Sequence, residues 1–282
     1  MEEKKIQIKK RLKNLQSLPT LPTIITKLTK MVADEKTTAV QLGAVIEKDQ
    51  VLTSKLLKMV NSAFFGFPKR ISTVANAIVL LGFNVIKTLI ITSSIFETMQ
   101  SEDVGLWEHS LGCAAAAGIM ARRLEIKDPE EVSTAALIHD LGKVVLRTEF
   151  PEDYEKIATL VKEKGLYFWQ AEQAILGVDH ATIGGWLTRQ WNLPDRLVEP
   201  IDCHHHPSEA KHFPDVAAVV HFADILIKGL GYGFSGDPFV PPLNPQAWKE
   251  LGFRREDLKE ILAELDDRLM ELQTFTLEMQ AL

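Results

Sequence analysis

The segment Thr134-Ala-Ala-Leu-Ile-His139-Asp140-Leu-Gly-Lys143-Val-Val-Leu146 places an imidazole, a carboxylate and an ammonium group inside an otherwise apolar run. The run is apolar enough to be a core helix, and burying an unpaired carboxylate costs several kcal/mol. Lys143 follows Asp140 by three residues, on the same helical face, and could supply the partner as an ion pair. A metal ion is the alternative partner. The segment by itself leaves both explanations open.

Histidines elsewhere in the chain favour the metal. All eight histidines fall between His109 and His221. The intervals from His109 to His139, then to His180, His204 and Asp224 are 30, 41, 24 and 20 residues, far longer than a zinc-finger loop. They suit a bundle in which each helix directs a side chain toward a common cavity. Five histidines and two aspartates stand at a helix end or inside an apolar helix and are the candidate metal ligands: His109, His139, Asp140, His180, His204, His205 and Asp224.

The residue types also indicate which ions the cavity would take. Neutral imidazoles and carboxylates suit iron, zinc or manganese. The carboxylate of a doublet such as His139-Asp140 can bridge two ions about 3.5–4 Å apart. We therefore predict two divalent transition-metal ions that share Asp140. Such a pair would generate hydroxide near neutral pH and bind a phosphate ester.

Apolar residues recur at helical spacing along nearly the whole chain, which predicts an all-α helical bundle. Residues 229–245 are rich in glycine and proline and predict an irregular linker. The expected helices are 21–32, a helix capped by Thr37 or Thr38 and ending near residue 48, 51–63 after a cap at Asp49, a helix from Ser72 or Thr73 to Gly82, an apolar helix from there to Met99, 107–124, 129–147, 152–164, 168–176, 180–191, 194–204, 216–228 and 256–279.

The distribution of histidines divides the chain into three predicted parts. Residues 1–100 form an N-terminal helical part, residues 101–230 form the metal-binding helical part, and residues 231–282 form the linker and an amphipathic helix. Leu258, Leu265 and Leu272 repeat every seven residues in that last helix, and Arg268 interrupts the seam. We therefore expect the helix to pack on its own chain rather than to form a coiled coil.

Composition disfavours several classes of protein. The chain has 282 residues, of which 46% are hydrophobic and 25% charged, which is ordinary for a globular protein. A net charge of −6 without a long basic run disfavours nucleic acid as a partner. The first residues lack the apolar core of a signal peptide, and two cysteines make no disulfide framework. We expect a cytoplasmic protein with no membrane partner.

Several short motifs together resemble a known superfamily. Trp107-Glu-His109, His139-Asp140-Leu-Gly-Lys143, His180-Ala-Thr-Ile-Gly184 and His204-His205 are similar to the HD superfamily of metal-dependent phosphohydrolases. The stretches Leu18-Pro-Thr-Leu-Pro22, Leu56-Leu-Lys-Met-Val-Asn-Ser-Ala-Phe64 and Ile71-Ser-Thr-Val-Ala-Asn-Ala-Ile78 resemble the N-terminal signature of its HDOD branch. The resemblance covers residues 18 to 226 and implies an all-helical bacterial signalling module.

The resemblance also assigns roles to residues. His109, His139, Asp140 and Asp224 match the ligands of the HD motif, and three more histidines match the extra ligands of the related HD-GYP phosphodiesterases: His180, His204 and His205. Lys143 matches the lysine that follows the HD doublet there, which makes Asp140 and Lys143 the candidate catalytic residues. The HD-GYP pattern continues with Glu and a Gly-Tyr-Pro loop, whereas this chain continues with His206-Pro207. This departure weakens the case for cyclic di-GMP hydrolysis and leaves the case for metal binding intact.

Two functional hypotheses follow from the resemblance. The first is a regulatory module whose N-terminal helices recognise a signalling protein and whose second part is a structural or ligand-sensing metal domain. The alternative is an active phosphohydrolase or cyclic-nucleotide phosphodiesterase that binds a phosphate-containing small molecule. The sequence leaves the oligomeric state open.

Two residues beside the candidate ligands need an interpretation. Cys113 lies one turn after His109 and could face the same cavity, but a small buried hydrophobic residue is the favoured interpretation. His221 lies three residues before Asp224 on one helix face, and we interpret it as a supporting or core residue rather than a ligand.

Overall fold

The computed structural model describes residues 2–14, 23–32, 34, 36–63, 65–98 and 104–280. Within these residues the regular elements are helices and no strand occurs, which confirms the all-α class. The sequence stretch 18–22, Phe64, the expected helix start at Leu21 and the expected helix end at Met99 lie outside the described residues.

Most of the described residues belong to helices, numbered α1 to α15 in chain order. Their bounds are α1 Glu2–Asn14, α2 Thr23–Val32, α3 Ala39–Ile46, α4 Gln50–Val60, α5 Val74–Thr98, α6 Val104–Arg123, α7 Pro129–Leu137, α8 Leu141–Glu149, α9 Pro151–Lys164, α10 Phe168–Leu176, α11 His180–Gln190, α12 Asp195–Cys203, α13 Pro214–Leu230, α14 Pro245–Leu251 and α15 Arg255–Gln280, with a 3₁₀ turn at Pro207–Glu209.

Local signals set the boundaries of the first helices. Thr38 caps α3, where its hydroxyl accepts from the backbone N–H of Gln41, and the carboxylate of Asp49 caps α4 by accepting from Leu52 N–H at 3.0 Å. Gly82 interrupts α5 with φ 77° and ψ 160°, a conformation that glycine adopts without strain. These caps and the break at Gly82 confirm the predicted positions.

One helical stretch of the described residues, Val74–Ser93, is long and apolar enough to cross a membrane by length and composition alone. Core helices of globular proteins pass the same test. This stretch is mostly buried within the chain, and it packs on α3, α4 and α7. Lys87 in its middle is also buried, and its Nζ donates to the carbonyl oxygen of Trp191 at 2.5 Å. It is therefore a core helix in this fold.

Helix α6 is the centre of the second half of the molecule. Helices α7, α13 and α15 all pack against it, and α12 lies between α11 and α13. Its middle is a run of buried alanines at residues 114–117, whose small side chains let neighbouring helices approach closely. The C-terminal helix α15 contributes Ile261, Leu265 and Leu272 to the core. This packing confirms the expectation that α15 docks on its own chain.

The predicted helix over residues 129–147 is wrong. The chain forms α7, a turn at residues 138–140, and then α8. The apolar pattern does not reveal the break, because α7 and α8 are both buried and apolar residues continue from one helix into the next. The break has a structural consequence: consecutive residues of a continuous helix point about 100° apart, whereas the turn lets His139 and Asp140 face one cavity.

The segment between α13 and α14 is irregular, as predicted, but it is packed against the helices. Phe234 N–H donates to the carbonyl of Gly105 at 2.8 Å, and the carboxylate of Asp237 accepts from Phe168 N–H at 3.0 Å. Helices α1 and α14 are additions to the predicted set, since their patterns are short or sparse in apolar residues. The predicted division at residues 100 and 230 stays a prediction.

Candidate metal centre

A first group of ligand atoms gathers between α6, the turn after α7, and α13. His109 Nε2 lies 3.0 Å from Asp224 Oδ1, and His139 Nε2 lies 3.5 Å from the same oxygen. Cys113, one turn after His109 on α6, brings its Sγ to 3.4 Å from His109 Nε2. The ligand atoms of these four buried residues all lie within 4.8 Å of one another.

A second group of ligand atoms comes from α11 and the end of α12. His180 is the first residue of α11, and its Nε2 lies 2.8 Å from His205 Nε2. His204 belongs to the same group, in which all three ligand nitrogens lie within 4.8 Å of one another. His180 and His204 are fully buried and His205 is half-buried.

Asp140 lies between the two groups and faces both of them. Its Oδ2 is 3.4 Å from His139 Nε2 and 3.8 Å from His109 Nε2. Its Oδ1 is 3.0 Å from His180 Nε2 and 3.8 Å from His204 Nε2. The Nζ of Lys143 donates to Oδ2 at 2.8 Å, so the ion pair expected from the sequence is present beside the histidines. One carboxylate thus offers an oxygen to each group.

Backbone carbonyls fix the orientation of two of the rings. The Nδ1 of His139 lies 2.6 Å from the carbonyl oxygen of Ala136, and the Nδ1 of His204 lies 2.8 Å from that of Ile201. A ring nitrogen that faces a carbonyl must be the N–H donor, so in the neutral form of each ring the lone pair is on Nε2. Both Nε2 atoms are buried without a hydrogen-bond partner. Buried acceptors of this kind fit metal ligands, which need a free lone pair.

A glutamate that the sequence analysis missed supports His180. Glu172 on α10 is fully buried, and its Oε2 accepts from both the backbone N–H of His180 at 2.8 Å and the ring Nδ1 at 2.6 Å. The carboxylate therefore fixes the tautomer that leaves Nε2 free to bind a cation. The available signal was a lone acidic residue on an apolar helix, eight residues before a candidate ligand.

Lys228 is the second residue that sequence reasoning missed. It lies one turn after Asp224 on α13, and its Nζ donates to Asp224 Oδ2 at 2.8 Å. Its side chain is almost fully buried, so it is a charge partner of the cluster rather than a surface lysine. Lys143 and Lys228 thus each hold one oxygen of an aspartate and leave the other oxygen directed toward histidines.

Opposite charges pair within the cluster. Burial opposes ionisation, yet His139 and Lys143 hold the pKa of Asp140 well below its usual range, and Lys228 and His109 do the same for Asp224. Burial lowers the pKa of His109 to about 4 and lowers that of His204 as well, so both rings are neutral. Burial also acts on His139, but the carboxylate of Asp140 raises its pKa to about 9. A cation bound here would displace that proton.

A close helix contact brings the two groups together. Gly142, in the first turn of α8, lies against the backbone of α11, where an added Cβ would meet the carbonyl oxygen of His180 at 2.0 Å. Only glycine allows α8 and α11 to approach this closely. The Gly142 position therefore sets the distance between Asp140 and His180.

The cluster is largely closed to solvent. A cavity that reaches Asp140, lined by apolar residues and by Trp107 and Ser110, has a volume of about 40 Å³, which holds a few water molecules. The ring of Trp169 stacks on the ring of half-buried His205 at a centroid distance of 6.0 Å. The side of His205 and Trp169 is therefore the least buried part of the cluster.

The structure brings together the whole predicted set: His109, His139, Asp140, Lys143, His180, His204, His205 and Asp224. His221 supports the cluster, as interpreted from the sequence: its Nδ1 donates to the carbonyl of His204 at 2.6 Å, and its Nε2 accepts from Asn244 N–H at 3.0 Å. His206 is half-buried and His212 is exposed. The Sγ of Cys113 belongs to the first ligand group, so the cysteine is more than the isolated hydrophobic residue expected.

Solved structures with similar folds come from several bacteria. An HDOD domain protein of unknown function from Geobacter sulfurreducens is 27% identical, with a TM-score of 0.72 and 99% of both chains covered. A protein from Shewanella amazonensis named as a candidate phosphohydrolase is 24% identical, with a TM-score of 0.71 over 94% of this chain and 97% of that one. A candidate signal transduction protein from Marinobacter aquaeolei is 20% identical, with a TM-score of 0.74 over 99% of this chain and 65% of that one.

Comparison of the sequence with known proteins and domain families identifies the family of this chain. An uncharacterized protein from Treponema pallidum is 30% identical over 198 residues, which is 66% of this chain and 37% of the relative. The chain thus spans little more than a third of the length of this curated relative. Residues 18–207 match the HDOD domain and include every described helix from α2 to α12. The chain belongs to the HDOD domain family.

Proposed function

We propose that this chain is a bacterial signal-transduction module in which a buried binuclear metal centre serves a structural or sensing role. The single observation that carries the proposal is the closure of the ligand cluster. His109, His139, Asp140, His180, His204 and Asp224 are each at most 2% exposed. Structural metal sites are closed in this way, whereas catalytic sites keep a position open to substrate.

Each of the two groups would hold one divalent transition-metal ion. His109, His139 and Asp224 would bind the first ion, and His180, His204 and His205 would bind the second, with Asp140 shared. The donor set of imidazole nitrogens and carboxylate oxygens suits iron, zinc or manganese. When bound, such ions supply Lewis acidity and fix the surrounding helices. The residues of the chain contribute the orientation: Glu172 holds His180, and two backbone carbonyls hold His139 and His204.

The signalling role would be carried by protein partners. In this proposal the N-terminal helices recognise a signalling protein in the cytoplasm, and the metal-bearing part changes its packing with the state of the centre. Nucleic acid and membranes are not proposed as partners, since the chain carries a net charge of −6. The name of the Marinobacter aquaeolei structure, a candidate signal transduction protein, agrees with this role.

A metal-dependent phosphohydrolase is the second candidate function, and a specific contact favours it. Lys143 is buried, and its Nζ lies 2.8 Å from Asp140 Oδ2, where an ammonium group would also neutralise a phosphate oxygen. The least buried side of the cluster, at His205 and Trp169, would have to open to admit a substrate. The name of the Shewanella amazonensis structure agrees with this alternative.

A hydrolysis screen separates the two functions. Protein reconstituted with iron, manganese or zinc is incubated with phosphomonoesters, phosphodiesters and cyclic nucleotides, beside His139→Ala and a His212→Ala control at an exposed histidine. The module predicts no turnover by any of the three proteins. Hydrolysis that a chelator abolishes, and that is lost in His139→Ala but retained in His212→Ala, would establish the enzyme and reject the module.

A further inference from the structure

The position of Cys113 is unusual for a buried cysteine that serves only as packing. It is fully buried on α6, and four alanines follow it along the helix, so packing alone does not require a sulfur atom here. Residues four apart on a helix share a face, which places the thiol beside the ring of His109. Its Sγ lies 3.4 Å from His109 Nε2. The sulfur therefore faces the first ligand group rather than an apolar neighbour.

The distances around Cys113 match those between ligands of one ion. A tetrahedral site with metal–sulfur bonds of about 2.3 Å and metal–nitrogen or metal–oxygen bonds of about 2.0–2.1 Å has ligand atoms about 3.3–3.6 Å apart. The observed separations are 3.4 Å from Sγ to His109 Nε2, and 3.0 Å and 3.5 Å from Asp224 Oδ1 to His109 and His139 Nε2. Two of these separations lie within that range, the 3.0 Å separation is shorter, and all four atoms lie within 4.8 Å of one another.

A second observation points to a ligand in the same space. The Nε2 of His139 belongs to this group of four, is buried, and has no hydrogen-bond partner. Its ring is fixed from behind by the carbonyl of Ala136, so the lone pair cannot turn away. A buried ring nitrogen without a hydrogen-bond partner, aimed at a thiol, an imidazole and a carboxylate, is an arrangement that a cation completes once it displaces the ring proton.

We propose that Cys113 binds the first metal ion of the centre as a thiolate. On binding, the sulfur–hydrogen bond breaks, the proton passes to solvent buffer, and the sulfur lone pair forms the bond to the ion. This inference rests on the proposed metal centre and adds a sulfur ligand to its histidines and aspartates. His109, Cys113, His139 and Asp224 then supply four ligand atoms to the first ion, the number found in closed tetrahedral sites, and Asp140 Oδ2 lies beside them.

The sulfur ligand also selects the metal. Thiolates favour zinc and iron, whereas manganese and magnesium prefer oxygen ligands. The first position is therefore a site for a borderline-soft divalent ion, and manganese binds there more weakly than zinc or iron. The second position, with three imidazoles and Asp140, has no sulfur ligand and is the more permissive of the two.

Cobalt(II) is the probe that reports a sulfur ligand directly. Cobalt bound to thiolate absorbs in the near ultraviolet through sulfur-to-metal charge transfer, a signature that imidazole and carboxylate ligands do not give. The metal-free full chain is titrated with cobalt(II) chloride without oxygen, as wild type, Cys203→Ser, Cys113→Ser and Cys113→Ala. Cys203, half-buried at the end of α12 and outside the ligand groups, is the matched control. Bound cobalt is counted by elemental analysis.

The expected result is a charge-transfer band in the wild type and in Cys203→Ser, and its loss in both Cys113 variants. Because Cys203→Ser keeps Cys113 as the single cysteine, a band in that protein assigns the ligand even if a Cys113 variant fails to fold. Cobalt bound without the band overturns the sulfur ligand and leaves the metal centre standing. No cobalt bound at all overturns both. A band that disappears in Cys203→Ser places the thiolate at the wrong cysteine and rejects the inference.

Discussion

Helices α2–α5 and helices α6–α13 bury different kinds of side chain. The described core of α2–α5 is mostly aliphatic, and most of its polar groups are satisfied locally, as where Asn61 Nδ2 donates to the carbonyls of Leu57 and Ile71. Helices α6–α13 enclose histidines, carboxylates and two lysines within one cluster. Apolar burial stabilises the first region, whereas the second region buries ligand atoms that a bound cation would pair.

The largest expected difference between the regions appears on chelation. An ion that binds only the folded state stabilises it by RT ln(1 + [L]/Kd), about 4 kcal/mol at a thousandfold excess over Kd. Removing the ions should therefore raise amide hydrogen exchange chiefly in α7, α8, α11 and α12, which carry or flank the ligands. Exchange in α2–α4 should change little, and α5, which packs on α7, should be intermediate. Mass spectrometry of exchange with and without chelator measures this. An equal rise of hydrogen exchange in α2–α4 would show that both regions unfold as one cooperative unit, and it would contradict the expected difference between them.

A substitution at Glu172 tests the support of the second region without touching a ligand. Glu172→Gln keeps the side-chain volume and removes the negative charge of the carboxylate that accepts from the ring N–H of His180. Loss of such a supporting contact lowers metal affinity by about 10–100-fold. Competition with a fluorescent chelator measures the affinity, and Glu163→Gln, at an exposed position on α9, is the control. Unchanged affinity in Glu172→Gln would mean that His180 is held by its helix alone.

The two regions also differ in how far the sequence could predict them. Caps at Thr38 and Asp49 and the break at Gly82 depend on adjacent residues, so local patterns were sufficient. The candidate ligand histidines could be found because an imidazole at the end of a helix or inside an apolar helix is conspicuous. Glu172 and Lys228 could not, since each acts on a residue brought near by packing. The turn at 138–140 was also hidden, because α7 and α8 are both buried and carry a continuous apolar pattern.

A buried lysine connects the regions, and its removal should weaken them together. Lys87 on α5 donates to the carbonyl of Trp191 at the end of α11. Lys87→Met removes the donor and leaves that carbonyl unsatisfied, which costs about 1–3 kcal/mol. Urea denaturation should show this loss in the free energy of unfolding, with or without chelator, beside an exposed Lys69→Met control. A loss of unfolding free energy that occurs only in the metal-loaded protein would instead mean that Lys87 acts through the metal centre.

The smallest effect concerns a contact in the second region that does not involve the ligand cluster. The carboxylate of Glu199 accepts from the backbone N–H groups of Lys211, His212 and Phe213, and despite some burial these bonds lower its pKa. A lowered pKa in the folded state adds stability above the unfolded pKa, and the contribution disappears as pH falls through the folded pKa.

Glu199→Gln should therefore lower the melting temperature of the chelated protein at pH 7 by an amount worth about 0.5–1 kcal/mol. The difference from wild type should begin to shrink below the ordinary glutamate pKa of 4.5 and should decrease further as the pH falls toward the lowered pKa of folded Glu199. Thermal scans between pH 7 and pH 3 measure it. A difference that does not change with pH over this range would mean that the charge of Glu199 contributes nothing to this contact.

Metal content per chain tests the central claim most directly. Protein purified without added metal, and then reconstituted with iron, manganese and zinc in turn, is analysed for bound ions as wild type and as Asp140→Ala. Because Asp140 faces both ligand groups, we predict about two ions per wild-type chain and the loss of both in Asp140→Ala. Loss of one ion in the variant would mean that Asp140 does not bridge. A wild-type chain that binds no ion under any of these conditions would contradict the account.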